Sequence, residues 1–299
     1  MSLELLRRLS AVAKNLPKAL YRTWTERYAT LPPSGAETEL GRRLWMTPRP
    51  LIHPTARVIV IFSHKSACTS ALVWFLHHLG HTKAAMDYHA WPHQYREEVY
   101  YHSQLYRRAY DLDLADFTLI RIVRDPWDRA VSSFRHALEW GYADTTIAKL
   151  LRRRDVASRG LAFAEFLELL ERLDLTTCDE HFRIQRHPVE NILPVHYLIN
   201  VSTENLFTRL NDVEVELGLP RSDMAKMAWV RRLRAHSRPL GEFVDATDAY
   251  TRRLSRQDAK CGPWPPYEAL LTPEARERIA RMYRIDIESY VNPRPELGR

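Results

Sequence analysis

The chain has 299 residues, 45% of them hydrophobic and 27% charged, with only 9 glycines. These are the proportions of a globular domain, and they exclude collagen-like and glycine-rich low-complexity chains. Lysine plus arginine number 44 against 37 for aspartate plus glutamate, a formal net charge of +7. That balance favours anionic partners without choosing among nucleotides, nucleic acid, acidic glycans and lipid surfaces.

The cysteines Cys68, Cys178 and Cys261 are few, far apart and form no CxxC pair. Neither a disulfide framework nor a cysteine zinc site is indicated, and a reducing compartment fits. No run approaches the roughly 18 apolar residues of a membrane helix. Arg7, Arg8 and Lys14 interrupt any signal-peptide core, so the expected location is the cytoplasm.

Residues 3–20 place Leu3, Leu6, Val12, Leu16 and Leu20 on one helix face, with Arg7, Arg8, Lys14 and Lys18 elsewhere. This reads as a helix docked on the domain. Its second reading is a basic interfacial helix at the inner membrane surface. Pro32-Pro33-Ser34-Gly35 and then Pro48, Pro50 and Pro54 interrupt the chain. The expected organisation is an N-terminal helical extension over 1–50 and a single domain over 51–299.

Val58-Ile59-Val60-Ile61-Phe62 is a β-branched apolar run, the signature of a strand buried on both faces. A short polar loop, His64 to Ser70, leads into a helix from Ala71 to Gly80. A short strand is expected before Met86. Phe117–Val123 reads as the next strand, Arg124-Asp125-Pro126 as a turn and Trp127–Trp140 as a helix. His196–Val201 and Thr203–Leu217 repeat the strand–helix pattern, and Pro273–Val291 is the last helix. Repeated strand–helix units give an α/β fold, a P-loop-like parallel β-sheet flanked by helices.

The chemistry concentrates after the first two strands. Loop residues ahead of a helix N-terminus offer backbone N–H groups and the positive end of the helix dipole to a phosphate. Lys65 adds a charge, Thr69 and Ser70 add hydroxyls, and no Walker A pattern is present. Arg124 stands at a strand's carboxyl end, where the ligand crevice of an open α/β sheet lies, and could grip a phosphate with two donors or pair with Asp125 or Asp128. Arg129 is expected to pair with Asp125. Ser132 follows Arg124 by eight residues.

Lys65-Ser66-Ala67-Cys68-Thr69-Ser70 is similar to the 5′-phosphosulfate loop of sulfotransferases, and Arg124 to Phe134 resembles their 3′-phosphate motif. Asp179 to Gln185, His196 to Leu206 and Leu271 to Ile287 resemble further stretches of the carbohydrate (chondroitin- and heparan-type) branch, in the same order. Phe182 and Ile184 depart from that branch, where tryptophan and proline are common, and the cysteine pairs of its secreted members are missing. The likeness is to a soluble, bacterial-like member.

The resemblance implies sulfuryl transfer from the donor PAPS (3′-phosphoadenosine 5′-phosphosulfate), leaving PAP, to a hydroxyl acceptor, a carbohydrate or glycoconjugate. It implies no metal. The backbone of Ser66, Ala67, Cys68, Thr69 and Ser70 would hold the 5′-phosphate, and Arg124 with Ser132 the 3′-phosphate. Lys65 would neutralise the bridging oxygen, and Arg238, in the loop His236-Ser237-Arg238, would close over the donor. The base that takes the acceptor proton would come from between the two phosphate motifs. There His89 is the first candidate and His93 the second, ahead of His102, His181 and Glu97. Trp91 could stack on a sugar or belong to the core.

Two other classes stand beside this one. A P-loop-like kinase would use Asp125 for Mg²⁺ but lacks the loop chemistry. A nucleic-acid binder would use Arg152-Arg153-Arg154 and Arg231-Arg232-Leu233-Arg234, yet no such motif is present and nucleic acid is not an expected partner.

Overall fold

Val58–Phe62 forms a strand, β2, whose five residues are all buried, as an uninterrupted apolar run requires of a strand covered on both faces. The computed structural model describes residues 32–235, 247–262 and 264–292. The amphipathic segment over 3–20 lies outside the described residues. Strand β3 (Thr118–Val123) pairs parallel to β2, with Val58 opposite Thr118 and Phe62 opposite Ile122. Strand β4 (Tyr197–Asn200) continues the parallel ladder, with Ile120 opposite Tyr197.

The sheet is not wholly parallel. Leu51–His53 forms β1, which pairs antiparallel with β2 at the edge. Only a few residues separate His53 from Val58, too few for the crossover that a parallel partner needs, so the chain must double back. A run of three residues after Pro48 and Pro50 carried no strand signal of its own.

The strand expected before Met86 is also corrected. Thr82–Tyr88 is a helix, in keeping with the helix-forming Lys83, Ala84, Ala85 and Met86. The crossover from β2 to β3 therefore runs through helical turns, including Pro92–Tyr95 and Gln104–Ala109. The first helix begins at Cys68 and ends at His78, so Cys68, Thr69 and Ser70 form its first turn rather than a loop. The C-terminal element is broken: Pro273–Met282, Arg284–Asp286 and a π-turn over Ile287–Val291. The break at Tyr283 turns Asp286 into the core, where its carboxylate accepts from the amides of Gln185 and Arg186.

Two apolar clusters flank the site. One packs the sheet against the Cys68–His78 helix, and Ala36 and Leu44 from before β1 join it. The other gathers Phe134, Phe163, Phe166, Leu167 and Trp264 among helices beyond β3. No helix among the described residues is long and apolar enough to cross a membrane.

Candidate active site

The chain leaves β2 at Phe62 and reaches its helix at Cys68 through a strained loop. Lys65 (φ 68°) and Ala67 (φ 56°) both occupy the left-handed region although neither is glycine. Each such residue costs about 1–3 kcal/mol, so the surrounding structure holds them there. Left-handed residues in a turn can build an anion-binding concavity from backbone N–H groups; here the Ser66 amide also donates back to the Ser63 carbonyl at 3.2 Å. The helix that follows has 11 residues and no side-chain cap on its first amides, so its positive end stays open. Ser66, between the two strained residues, is fully buried and its hydroxyl donates to Gln185 Oε1 at 3.2 Å.

Gln185 ties this loop to the end of β3. The same Oε1 accepts the Arg124 amide at 3.0 Å, and Nε2 donates to the Arg124 carbonyl at 2.8 Å. The Arg124 guanidinium leans over the Tyr267 ring and donates to the Lys65 carbonyl at 3.3 Å. Its Nε is buried, 3.9 Å from Asp128 and without a hydrogen-bond partner among the described residues. Ser132 is half-buried two turns further along the Pro126–Trp140 helix. Arg238 lies outside the described residues.

Arg129 does not pair with Asp125. Asp125 accepts from Asn200 Nδ2 at 2.6 Å, and Asp128 accepts from the Ser202 hydroxyl at 2.7 Å. Arg129, 2% exposed, instead donates to the carbonyls of His64, Glu180 and His181. It holds the loop after β2 against the 179–185 segment. Beneath both, Arg121 is fully buried on β3 and joins Glu190 (2.9 Å), Ser63, the Ile61 carbonyl and the Gln185 carbonyl.

The Lys65 ammonium is pushed below its usual range by burial; Cys68 and Glu139 oppose the shift, and Arg124 and Arg135 add to it. No carboxylate among the described residues forms an ion pair with Lys65. A desolvated ammonium without an ion-pair partner is costly unless an anion joins it. The buried, unpartnered Arg124 Nε and the open helix end fit a phosphate-bearing ligand in the same way.

The histidines divide. His89 is in the loop after the Thr82–Tyr88 helix, and its Nδ1 accepts the Trp91 amide at 3.0 Å, within its own segment. His93 reaches the first turn of the Cys68–His78 helix: its Nε2 lies 3.1 Å from Thr69 Oγ1. Burial holds His93 neutral, with its pKa well below the usual value and lowered further by Arg96 and His181. Trp91 is 46% exposed and its ring is 5.5 Å from that of His93. His181 Nδ1 meets Asp179 Oδ1 at 2.7 Å. His102 is half-buried, and Glu97 pairs with Arg96.

Sequence reasoning gave Gln185, His64, His136 and Tyr142 no role. Gln185 lay in a stretch already singled out, but its contacts depend on β2 and β3 being neighbours. A cleft of about 570 Å³ bounded by His53, His77, His78 and Leu217 opens at the far end of the Cys68–His78 helix, and none of the expected site residues lines it.

The sulfotransferase family profile matches residues 49–291. Neither curated proteins nor solved structures gave a match. With a strand–loop–helix unit after one parallel strand, an arginine after the next, and a family match across most of its length, the chain belongs to the sulfotransferase family.

Proposed function

We propose that the protein transfers a sulfuryl group from PAPS to a hydroxyl of a carbohydrate acceptor. The observation that carries this reading is the Lys65–Arg124 cation pair, with no ion-pair partner for Lys65 among the described residues, held between the open helix end and Gln185. The amides of Ser66 to Ser70 hold the 5′-phosphate. Arg124 and Ser132 hold the 3′-phosphate, which sets PAPS apart from ordinary adenine nucleotides. Lys65 faces the charge that grows on the bridging oxygen as the S–O bond breaks.

The acceptor oxygen forms the new bond to sulfur, and the leaving phosphate keeps the electron pair of the old one. The hydroxyl proton passes to a histidine of the 89–93 segment. The contact with Thr69 favours His93 over His89 for that role. The exposed face of Trp91 beside His93 suits a sugar ring, which is the support for a carbohydrate acceptor. A cytoplasmic setting belongs to the same proposal and rests on the sparse cysteines.

Calorimetric titration with PAP, AMP and ATP tests the donor. PAP should bind at least about tenfold tighter than AMP, since a charge-assisted contact is worth about 1.5–3 kcal/mol. Arg124→Ala should erase that preference. Equal affinity for PAP and AMP in the unaltered protein would count against the reading.

A further inference from the structure

A ladder of rings runs from the interior beside Lys65 to the surface. His181 is its centre, with the rings of His64 and His136 each 4.6 Å away and Tyr142 at 4.9 Å. His136 continues the ladder to Trp140 at 6.2 Å, and Trp140 is 66% exposed. The Lys65 charge is felt by His136. Gly141 makes the geometry: its left-handed backbone (φ 65°) ends the Pro126–Trp140 helix and folds Tyr142 back over His136. A Cβ at Gly141 would come within 2.3 Å of Arg256 Nη2.

Three polar atoms on this ladder are left open. His64 Nδ1, His136 Nδ1 and the Tyr142 hydroxyl are buried without a hydrogen-bond partner among the described residues. An unmade bond of this kind costs about 1–3 kcal/mol, so these atoms point to a ligand. The charge around them is mixed: the Lys65 charge acts on His136 and that of Arg129 on Tyr142, but carboxylates stand against the rings. Asp179 fixes His181 at 2.7 Å, and Glu180 stands 3.3 Å from His64. Arg129, which lies near, directs its donors to the carbonyls of His64, Glu180 and His181. Burial keeps His136 and His64 uncharged. Ring faces with neutral donors and acceptors match a ring that bears hydroxyls, whereas the carboxylates oppose an anionic one.

We propose that the face formed by His64, His181, His136, Tyr142 and Trp140 binds the sulfuryl acceptor, and that this acceptor is an uncharged cyclic polyol rather than a polyanionic glycan. The inference rests on the sulfotransferase reading of the Lys65 site and adds the acceptor's charge and its recognising residues.

The test uses the full chain loaded with PAP and two probes that differ only at C6, the neutral hydroxymethyl of 4-nitrophenyl β-D-glucoside against the carboxylate of 4-nitrophenyl β-D-glucuronide. Calorimetry should show the glucoside binding at least tenfold tighter. Tyr142→Phe should weaken the glucoside about three- to tenfold, the size of one neutral hydrogen bond, with PAP affinity unchanged. Asp179→Asn should narrow the preference between the probes. Equal or tighter binding of the glucuronide, binding of neither probe, or an unaffected Tyr142→Phe variant would each overturn the proposal while PAP still bound. Failure of PAP itself to bind would overturn the donor reading with it.

Discussion

On one side of Lys65 the Gln185 amide is fully engaged: Oε1 accepts from Ser66 and Arg124, and Nε2 donates to the Arg124 carbonyl. On the other side His64 Nδ1, His136 Nδ1 and the Tyr142 hydroxyl are buried without a hydrogen-bond partner among the described residues. The engaged side is fixed before any ligand arrives. Its strained residues, Lys65 and Ala67, are held in place by a network that continues through Gln185 to Asp286. The open side leaves its hydrogen bonds to be made. Fixed dipoles suit a donor that must be held in one geometry for in-line transfer, and open valences suit an acceptor that enters afterwards.

The largest expected effect tests whether His93 belongs to the open side as its base. With saturating PAPS, His93→Ala should lower turnover by about 10²–10⁴ and leave PAP affinity unchanged. His89→Ala should stay within a few-fold of the parent, because its ring is engaged by its own loop. A hundredfold loss in His89→Ala with normal turnover in His93→Ala would reverse the assignment.

A smaller effect probes the engaged side. Gln185→Ala leaves the buried Ser66 hydroxyl and the Arg124 amide without an acceptor, each worth about 1–3 kcal/mol. PAP affinity should fall about tenfold or more, while binding of AMP falls less, because the position of Arg124 is what is lost. Gln185→Glu keeps the acceptor and should recover part of the loss. A Gln185→Ala variant with normal PAP affinity and a lowered melting temperature would make the residue a stabiliser only.

What the sequence made legible follows from how far each signal reaches along the chain. The strands Val58–Phe62 and Thr118–Val123 are local apolar runs, and the helix behind the Lys65 loop is a local pattern, so these strands and that loop could be read directly. β1 has three residues and is defined by its partner, not by its own composition. Arg129 was paired with Asp125 because they are neighbours on one helix turn, but Asn200 on β4 takes that carboxylate. Gln185 and the His64–His181–His136 ladder join segments 40 or more residues apart or on different elements, and no periodicity reports such contacts.

The smallest expected effect is on stability, and it comes from the open side. Burial depresses the His136 pKa to about 3, helped by the charges of Lys65 and His181 and opposed by Asp179. In the unfolded chain an imidazole titrates near 6.5. The folded value is the lower one, so the unfolded state binds the proton first. His136 therefore contributes stability above about pH 6.5, and that contribution is lost as pH falls from 6.5 toward 3. His64 and His93 are shifted in the same sense, while the buried Asp286 and Glu180, whose pKa values are raised, act in the opposite one. The ring of His136 is only half-buried, so solvent screening trims the effect well below its full linkage value. The melting temperature should drop between pH 7.5 and pH 5, and His136→Asn should shrink that drop by about 2–4 °C, roughly the shift produced by 1 kcal/mol in a domain this large. The measurement is a pair of thermal melts across that pH window. An identical drop in the variant would show that His136 gains no protection from the proton in the fold, and the open side would then be wetter than its unpaired atoms imply.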